Sequence, residues 1–178
     1  MGNERKFLKE KLIIAVLYAD KSDEEKLEKI IQKKFGLVDY KSHWIAFNYT
    51  NYYTDEMGSE IWRKFYSIKD PVDPANGYKF KLITNSIEKK FFFKGTEKRR
   101  INLDPGLLSL GKFILFTTKN QQHRIPLQKG IYAEVTLRYH QKQFSTWEWT
   151  YRDYQTEIYW KVLCDIRTIY KKQIQQCL

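Results

Sequence analysis

Two short stretches place charged side chains at the spacing of a β-strand. In residues 99–104 (RRINLD), Arg100, Asn102 and Asp104 alternate with Ile101 and Leu103. Alternate side chains of a strand share a face, so the three polar groups line up. In residues 133–139 (AEVTLRY), Glu134, Thr136 and Arg138 alternate in the same way with Ala133, Val135, Leu137 and Tyr139. Side by side, the two strands bring Arg100 or Arg138 to Glu134 or Asp104. Such a patch suits an anionic ligand, with the carboxylates free for acid/base or metal-binding work. Lys119, His123 and Arg124 form a third group, in which a histidine titrating near neutral pH stands among cations able to hold a phosphate. Asp55 and Glu56, beside Tyr53 in the aromatic loop TNYYTDEMG, are secondary candidates.

The resulting assignment makes Glu134, His123 and Asp104 the candidate catalytic groups. Arg100, Asn102, Arg138, Thr136, Lys119 and Arg124 are the candidate ligand contacts. Each has a plain structural alternative: an exposed sheet face also alternates polar and apolar residues, and Asp104 before Pro105 has the pattern of a helix N-cap. No nucleophile motif, GxxxxGK[ST] loop, GxGxxG turn, HExxH pair or EF-hand loop is present. The GLLSLGK run at 106–112 has P-loop spacing, but Phe113 replaces the required Ser or Thr.

The elements that must position these groups are read from periodicity. Residues 11–19 (KLIIAVLYA) form a near-continuous apolar run, the mark of a strand buried on both faces. Ser22 and Glu25 form a capping-box pattern ahead of Leu27, Ile30, Ile31 and Phe35, with Gly36 placed as a C′ glycine. A second strand falls within 38–49, and residues 60–68 read as a short helix. Phe80, Ile83, Ile87 and Phe91 mark an amphipathic helix over 78–94. A strand over 99–103 leads to Asp104-Pro105 and a buried central helix over 105–118. Strands over 123–127, 130–140 and 143–149 follow as a meander, with turns at Gln128-Lys129 and Gln141-Lys142, and a C-terminal helix covers 156–175. The predicted fold is a single α+β domain over 1–178, with a mixed or antiparallel sheet, a three-strand C-terminal meander, a buried central helix and a long C-terminal helix.

Composition sets the outer bounds. A chain of 178 residues, 42% hydrophobic and 16% aromatic, buries enough surface to fold without a disulfide or metal. Its two cysteines, Cys164 and Cys177, form no CxxC or Cys/His cluster, which argues against structural zinc and fits a reducing compartment. No run of about 18 apolar residues suggests a membrane span. The apolar run at 12–19 has no small-residue cleavage site after it, and Lys6 stands where a myristoylation motif needs Ser or Thr. The net charge of +11 is carried by 24 Lys spread along the chain and only 8 Arg, a pattern closer to a solvated surface than to a nucleic-acid groove.

The segments TNYYTDEMG, RRINLDPG and HRIPLQKGIYAEVTLRY, followed by WTYRDY, resemble the bacterial uncharacterised family DUF4416, a domain of unknown function. The resemblance runs from the first strand to the C-terminal helix. It departs from the family pattern at Arg152, where proline is usual, and at Pro126, where an aromatic is. It implies a cytoplasmic bacterial protein and supplies no activity, cofactor or catalytic residue.

The favoured expectation is a cytoplasmic protein that binds an anionic or phosphorylated small ligand at a polar sheet face; whether it also transforms that ligand stays open. One alternative is a single-stranded RNA-binding module using Trp147, Trp149, Tyr151 and Tyr154 as stacking platforms. Another is an assembly domain with Trp44, Tyr52 and Tyr53 at an interface.

Overall fold

The computed structural model describes residues 3–175. Its elements are β1 (Lys11–Tyr18), α1 (Glu24–Phe35), β2 (Val38–Lys41), β3 (Ile45–Ala46), α2 (Thr54–Met57), β4 (Trp62–Ile68), α3 (Gly77–Glu88), β5 (Ile101–Leu108), β6 (Lys112–Thr117), β7 (Ile125–Pro126), β8 (Tyr132–His140), β9 (Gln143–Thr146) and α4 (Glu157–Gln175). The strands form one sheet in the order β2-β4-β1-β5-β6-β8-β7, with β3 added to β4 and β9 to β8. Every pairing is antiparallel.

β1 lies in the middle of the sheet and is buried along its whole length. Leu12, Ile14, Val16 and Tyr18 pack with α1 and α3 on one face, and Ile13 and Ala15 pack with α4 on the other. Helices therefore cover both faces of the sheet. The α+β class, the meander β7–β8–β9 and the long C-terminal helix follow the sequence prediction, and Gln141 and Lys142 turn the β8–β9 hairpin with positive φ.

Three local readings are corrected. Residues 105–118 are not a helix: they are the second half of β5 and all of β6, joined by a hairpin that Ser109 N–H closes onto Lys112 C=O. A strand buried on both faces and a buried helix carry the same continuous apolar signature, so Asp104-Pro105 lies within a strand and caps nothing. Residues 60–68 likewise hold β4, an inner strand, rather than a helix. The capping box is not made either. Ser22 N–H donates to Asp20, and Asp23, at the start of α1, turns its carboxylate to Arg100.

Pro105 explains the feature that matters most. β5 pairs with β1 over its full length but with β6 only from Gly106–Leu115 to Leu108–Phe113. The N–H and C=O of Leu103 point away from β1 and bond to side chains of α3. By the two-residue period Pro105 faces the same way, and a proline has no N–H to give to β6. The β5–β6 ladder stops there and the sheet parts. Gly106, at the last pair, is required by close approach, because a Cβ would lie 2.6 Å from the Ile114 carbonyl oxygen.

Candidate functional site

The parted strands open onto a cleft of about 940 Å³, within the size range of small-molecule sites. Lys81 and Glu88 of α3 stand where a neighbouring strand would have been. Lys81 Nζ donates to Leu103 C=O at 2.8 Å, and Leu103 N–H donates to Glu88 Oε1 at 2.7 Å. Asn85, one turn along α3 from Lys81, also lines the cleft, as do Asn102 and Asp104 of β5 and Glu134 of β8. Loops at 47–53, 117–119 and 149–154 complete the wall with Tyr49, Tyr53, Lys119, Trp149, Tyr151 and Arg152.

Arg63 of β4 organises the floor. It is 2% exposed, and it donates to Tyr159 OH and to Asp153 Oδ2, both at 3.1 Å, and to Asp104 Oδ2 at 3.4 Å. Asp104 also receives Asn102 Nδ2 at 2.9 Å, while Lys81 Nζ lies 3.6 Å from its Oδ1. Burial alone would push the Asp104 carboxyl up, but Lys81, Arg63 and Asn102 together hold it below the ordinary value. Asp153 is moved the other way, raised by burial that Arg63 only partly offsets. Two carboxylates beside one guanidinium are thus driven in opposite directions, as neighbouring acids of different function often are. Tyr53 faces the same group, and its phenol is pushed up by burial and by Asp104.

A second ion pair closes one side. Arg99 holds Glu56 through Nε at 2.6 Å and Nη2 at 2.8 Å, and Glu88 through Nη1 at 2.8 Å. The Arg99 hydrogen bond keeps the Glu56 carboxyl below its ordinary value. On the other side Glu134, 2% exposed, accepts from Arg124 Nε at 2.7 Å and lies 3.2 Å from His123 Nε2. Thr136 donates to the other Glu134 oxygen at 3.3 Å. His123 stacks on Trp149, with ring centroids 5.1 Å apart, and Trp149 stacks in turn on Trp147 at 5.3 Å. Arg124 also reaches Tyr151 OH.

Of the residues singled out in the sequence, Glu134, Asp104, Asn102, Lys119 and Tyr53 line the cleft. His123, Arg124 and Thr136 stand behind Glu134 and hold it, and Glu56 anchors Arg99. Arg100 and Arg138 are not brought to the site. Arg100 binds Asp23 at the start of α1. Arg138 is displaced by a β-bulge, because Phe113 pairs with Leu137 while Ile114 pairs with Val135. The extra residue turns Leu137 to the face of Glu134 and sends Arg138 outward onto Ser145 and Trp147. Strict alternation over 133–139 therefore fails at Thr136, as it must at a bulge. Asp55 is exposed and lines no part of the cleft. The site is a parting between strands rather than a polar sheet face.

Of the aromatic run, Trp149 and Tyr151 are exposed, Trp147 is half-buried and only Tyr154 is buried. Tyr154 is buried against Phe113 and Tyr159, and Trp44 packs on Tyr18. Among the described residues no group of three His, Cys, Asp or Glu side chains is placed to hold a metal ion, and no helix is long and apolar enough to cross a membrane.

Sequence reasoning missed Arg63, Lys81, Asn85, Glu88, Arg99, Arg152 and Asp153. Arg63 was hidden by the helical reading of β4. Lys81, Asn85 and Glu88 were visible as a polar stripe at i, i+4 and i+7 beside the apolar face of α3, a pattern that signals a helix facing something polar. The four segments that carry the family resemblance, 50–58, 99–106, 123–139 and 149–154, all contribute to this one cleft. The family model for a domain of unknown function, DUF4416, matches residues 8–170, and the chain belongs to that family. No curated protein and no solved structure matches it.

Proposed function

We propose that this member of the DUF4416 family binds a small anionic molecule, a phosphorylated one above all, in the cleft between β5 and β6, and that it does so in the bacterial cytoplasm. The observation that carries the reading is the set of charges at the cleft. The acids there, Glu88, Asp104, Glu134 and Asp153, are each held by an arginine or lysine. Lys119 and Arg152 line the mouth with no carboxylate within ion-pair distance among the described residues. They are the cations left to meet an incoming anion. Buried ion pairs contribute less to stability than well-packed apolar side chains of the same volume, so a floor built from them is better accounted for by binding than by folding. The free thiol of Cys164 fits a reducing compartment.

The test is a thermal-shift titration of the full chain against phosphorylated metabolites, nucleotides and carboxylic acids. A ligand that binds the folded state alone raises the melting temperature by an amount set by its concentration relative to Kd. At least one phosphorylated compound is expected to give a saturable shift, and the Lys119→Ala/Arg152→Ala double variant to weaken its apparent affinity about tenfold or more, the loss of roughly 1.4 kcal/mol of binding. A panel in which nothing shifts the transition, or a double variant that binds as well as the parent, overturns the proposal.

A further inference from the structure

Resting on that reading, we infer that the ligand is a phosphate ester of a polyhydroxylated ring, bound with its phosphate at the mouth and its hydroxyl groups on the floor. The cleft has two chemically different ends. The mouth offers cations: among the described residues, the only side-chain hydrogen bond of Lys119 Nζ is to Tyr52 OH at 2.9 Å, and the Arg152 side chain makes none. The floor offers acceptors and donors in balance, for Arg63 and Lys81 bring two positive charges and Asp104 and Asp153 two negative ones.

That balance excludes simple ligands. An inorganic oxyanion on the floor would meet Asp104, a carboxylate held in its ionised form, and has no donor to offer it. An ammonium group would meet Arg63 and Lys81 at the same point. A neutral hydroxyl does neither, and it both donates and accepts.

Several floor groups lack the protein partners that a closed hydrogen-bond network would give them. Among the described residues Asp104 Oδ1 accepts no hydrogen bond, Lys81 Nζ lying 3.6 Å away. The Tyr154 hydroxyl, on a residue 2% exposed that lines the cleft, is buried without any partner. A buried unpartnered hydroxyl costs free energy in the free protein, so it marks a place where a polar group of the ligand belongs. Tyr53 and Asn85 also line the cleft, and among the described residues the Tyr53 hydroxyl and the Asn85 amide make no protein hydrogen bond. Tyr49, Tyr53, Phe116 and Trp149 add aromatic surface between the two ends. The C–H faces of a sugar ring pack on such surface while its hydroxyls reach past it.

Isothermal titration separates this inference from the reading beneath it. The probes are inorganic phosphate, a hexose phosphate, a pentose phosphate, a nucleoside monophosphate and an unphosphorylated hexose. The hexose or pentose phosphate, or the nucleotide through its ribose phosphate, is expected to bind at least tenfold more tightly than inorganic phosphate; whichever binds best identifies the source of the ester. Tyr53→Phe removes a hydroxyl that no protein group uses. It is expected to weaken the ester several-fold and leave inorganic phosphate unchanged, and Asp104→Asn is expected to weaken the ester further. Esters that bind no better than inorganic phosphate overturn the inference and leave the anion site standing, as does a Tyr53→Phe variant that loses nothing. An unphosphorylated hexose that binds as tightly as its phosphate overturns the anionic reading, and a panel without any binder overturns both.

Discussion

Replacing Arg63 by methionine tests the floor of the cleft directly. Methionine keeps an unbranched apolar stem of similar reach, so the substitution removes charge and hydrogen bonds more than volume. Three hydrogen bonds go with the guanidinium, to Tyr159, Asp153 and Asp104. Asp104 keeps Asn102 and the neighbouring Lys81, whereas Asp153, 6% exposed, keeps no cation. Leaving one partner of a buried ion pair uncompensated costs about 3–5 kcal/mol, a large part of the roughly 5–15 kcal/mol by which a domain is stable. For a chain of this length the melting temperature should fall by roughly 6–20 °C. Urea denaturation at pH 7 measures the loss. Adding Asp153→Asn to the variant removes the stranded charge and should recover more than half of it. Acidification should narrow the gap between parent and variant, because the stranded carboxylate is then protonated. A loss under about 1 kcal/mol, well below what a stranded buried charge costs, or a loss that Asp153→Asn does not relieve, would refute the assignment of Arg63 as the counter-charge of the floor.

Other perturbations bear on neighbouring parts of the same construction. Gly106→Ala puts a methyl 2.6 Å from the Ile114 carbonyl and 2.7 Å from the Phe113 ring, and calorimetry should show a loss of about 1–3 kcal/mol from the forced shift. Lys81→Met removes the donor to Leu103 C=O, and carbon NMR should find the Asp104 carboxyl titrating at higher pH once its first cation is gone. Asp104 and Glu56, both held below the ordinary carboxylate value, contribute stability that is complete at neutral pH and is lost as pH falls through their folded-state values, below about pH 5. Acid titration of Asp104→Asn should therefore start lower at pH 7 and fall less steeply than the parent. Asp153, raised by burial, works in the opposite direction and favours the folded state at low pH.

Much of the architecture was visible in the residue pattern. β1, α1, α3, the C-terminal meander and α4 all follow from apolar period and turn residues, because in each the local signal and the tertiary burial agree. The two failures have different causes. Over 105–118 apolar residues fill most positions and the period that separates strand from helix disappears. In β4 the polar Arg63, Lys64 and Ser67 are buried beside apolar residues, so burial does not follow polarity along the strand. The candidate site was legible to the extent that Asp104, Asn102 and Glu134 sit on strands whose charges need partners. Their partners Arg63, Lys81 and Arg124 are 41, 23 and 10 residues away in sequence, and no pattern read along the chain reports which strands neighbour each other. The bulge that removes Arg138 depends in turn on pairing with β6, which a single segment does not encode.

Pro105 has a consequence for how the molecule treats its own kind. By ending the ladder to β6 it leaves part of β5 as an internal sheet edge, without a strand partner on that side. Such edges recruit strands from other molecules. Here the edge is occupied by the ammonium of Lys81 and the carboxylate of Glu88, which satisfy the Leu103 backbone and place charge where an added strand would have to lie. The side chains that shape the cleft also keep the sheet from growing. Losing both would expose a pairing template in the middle of the sheet, so solubility by itself is a reason to keep Lys81 and Glu88.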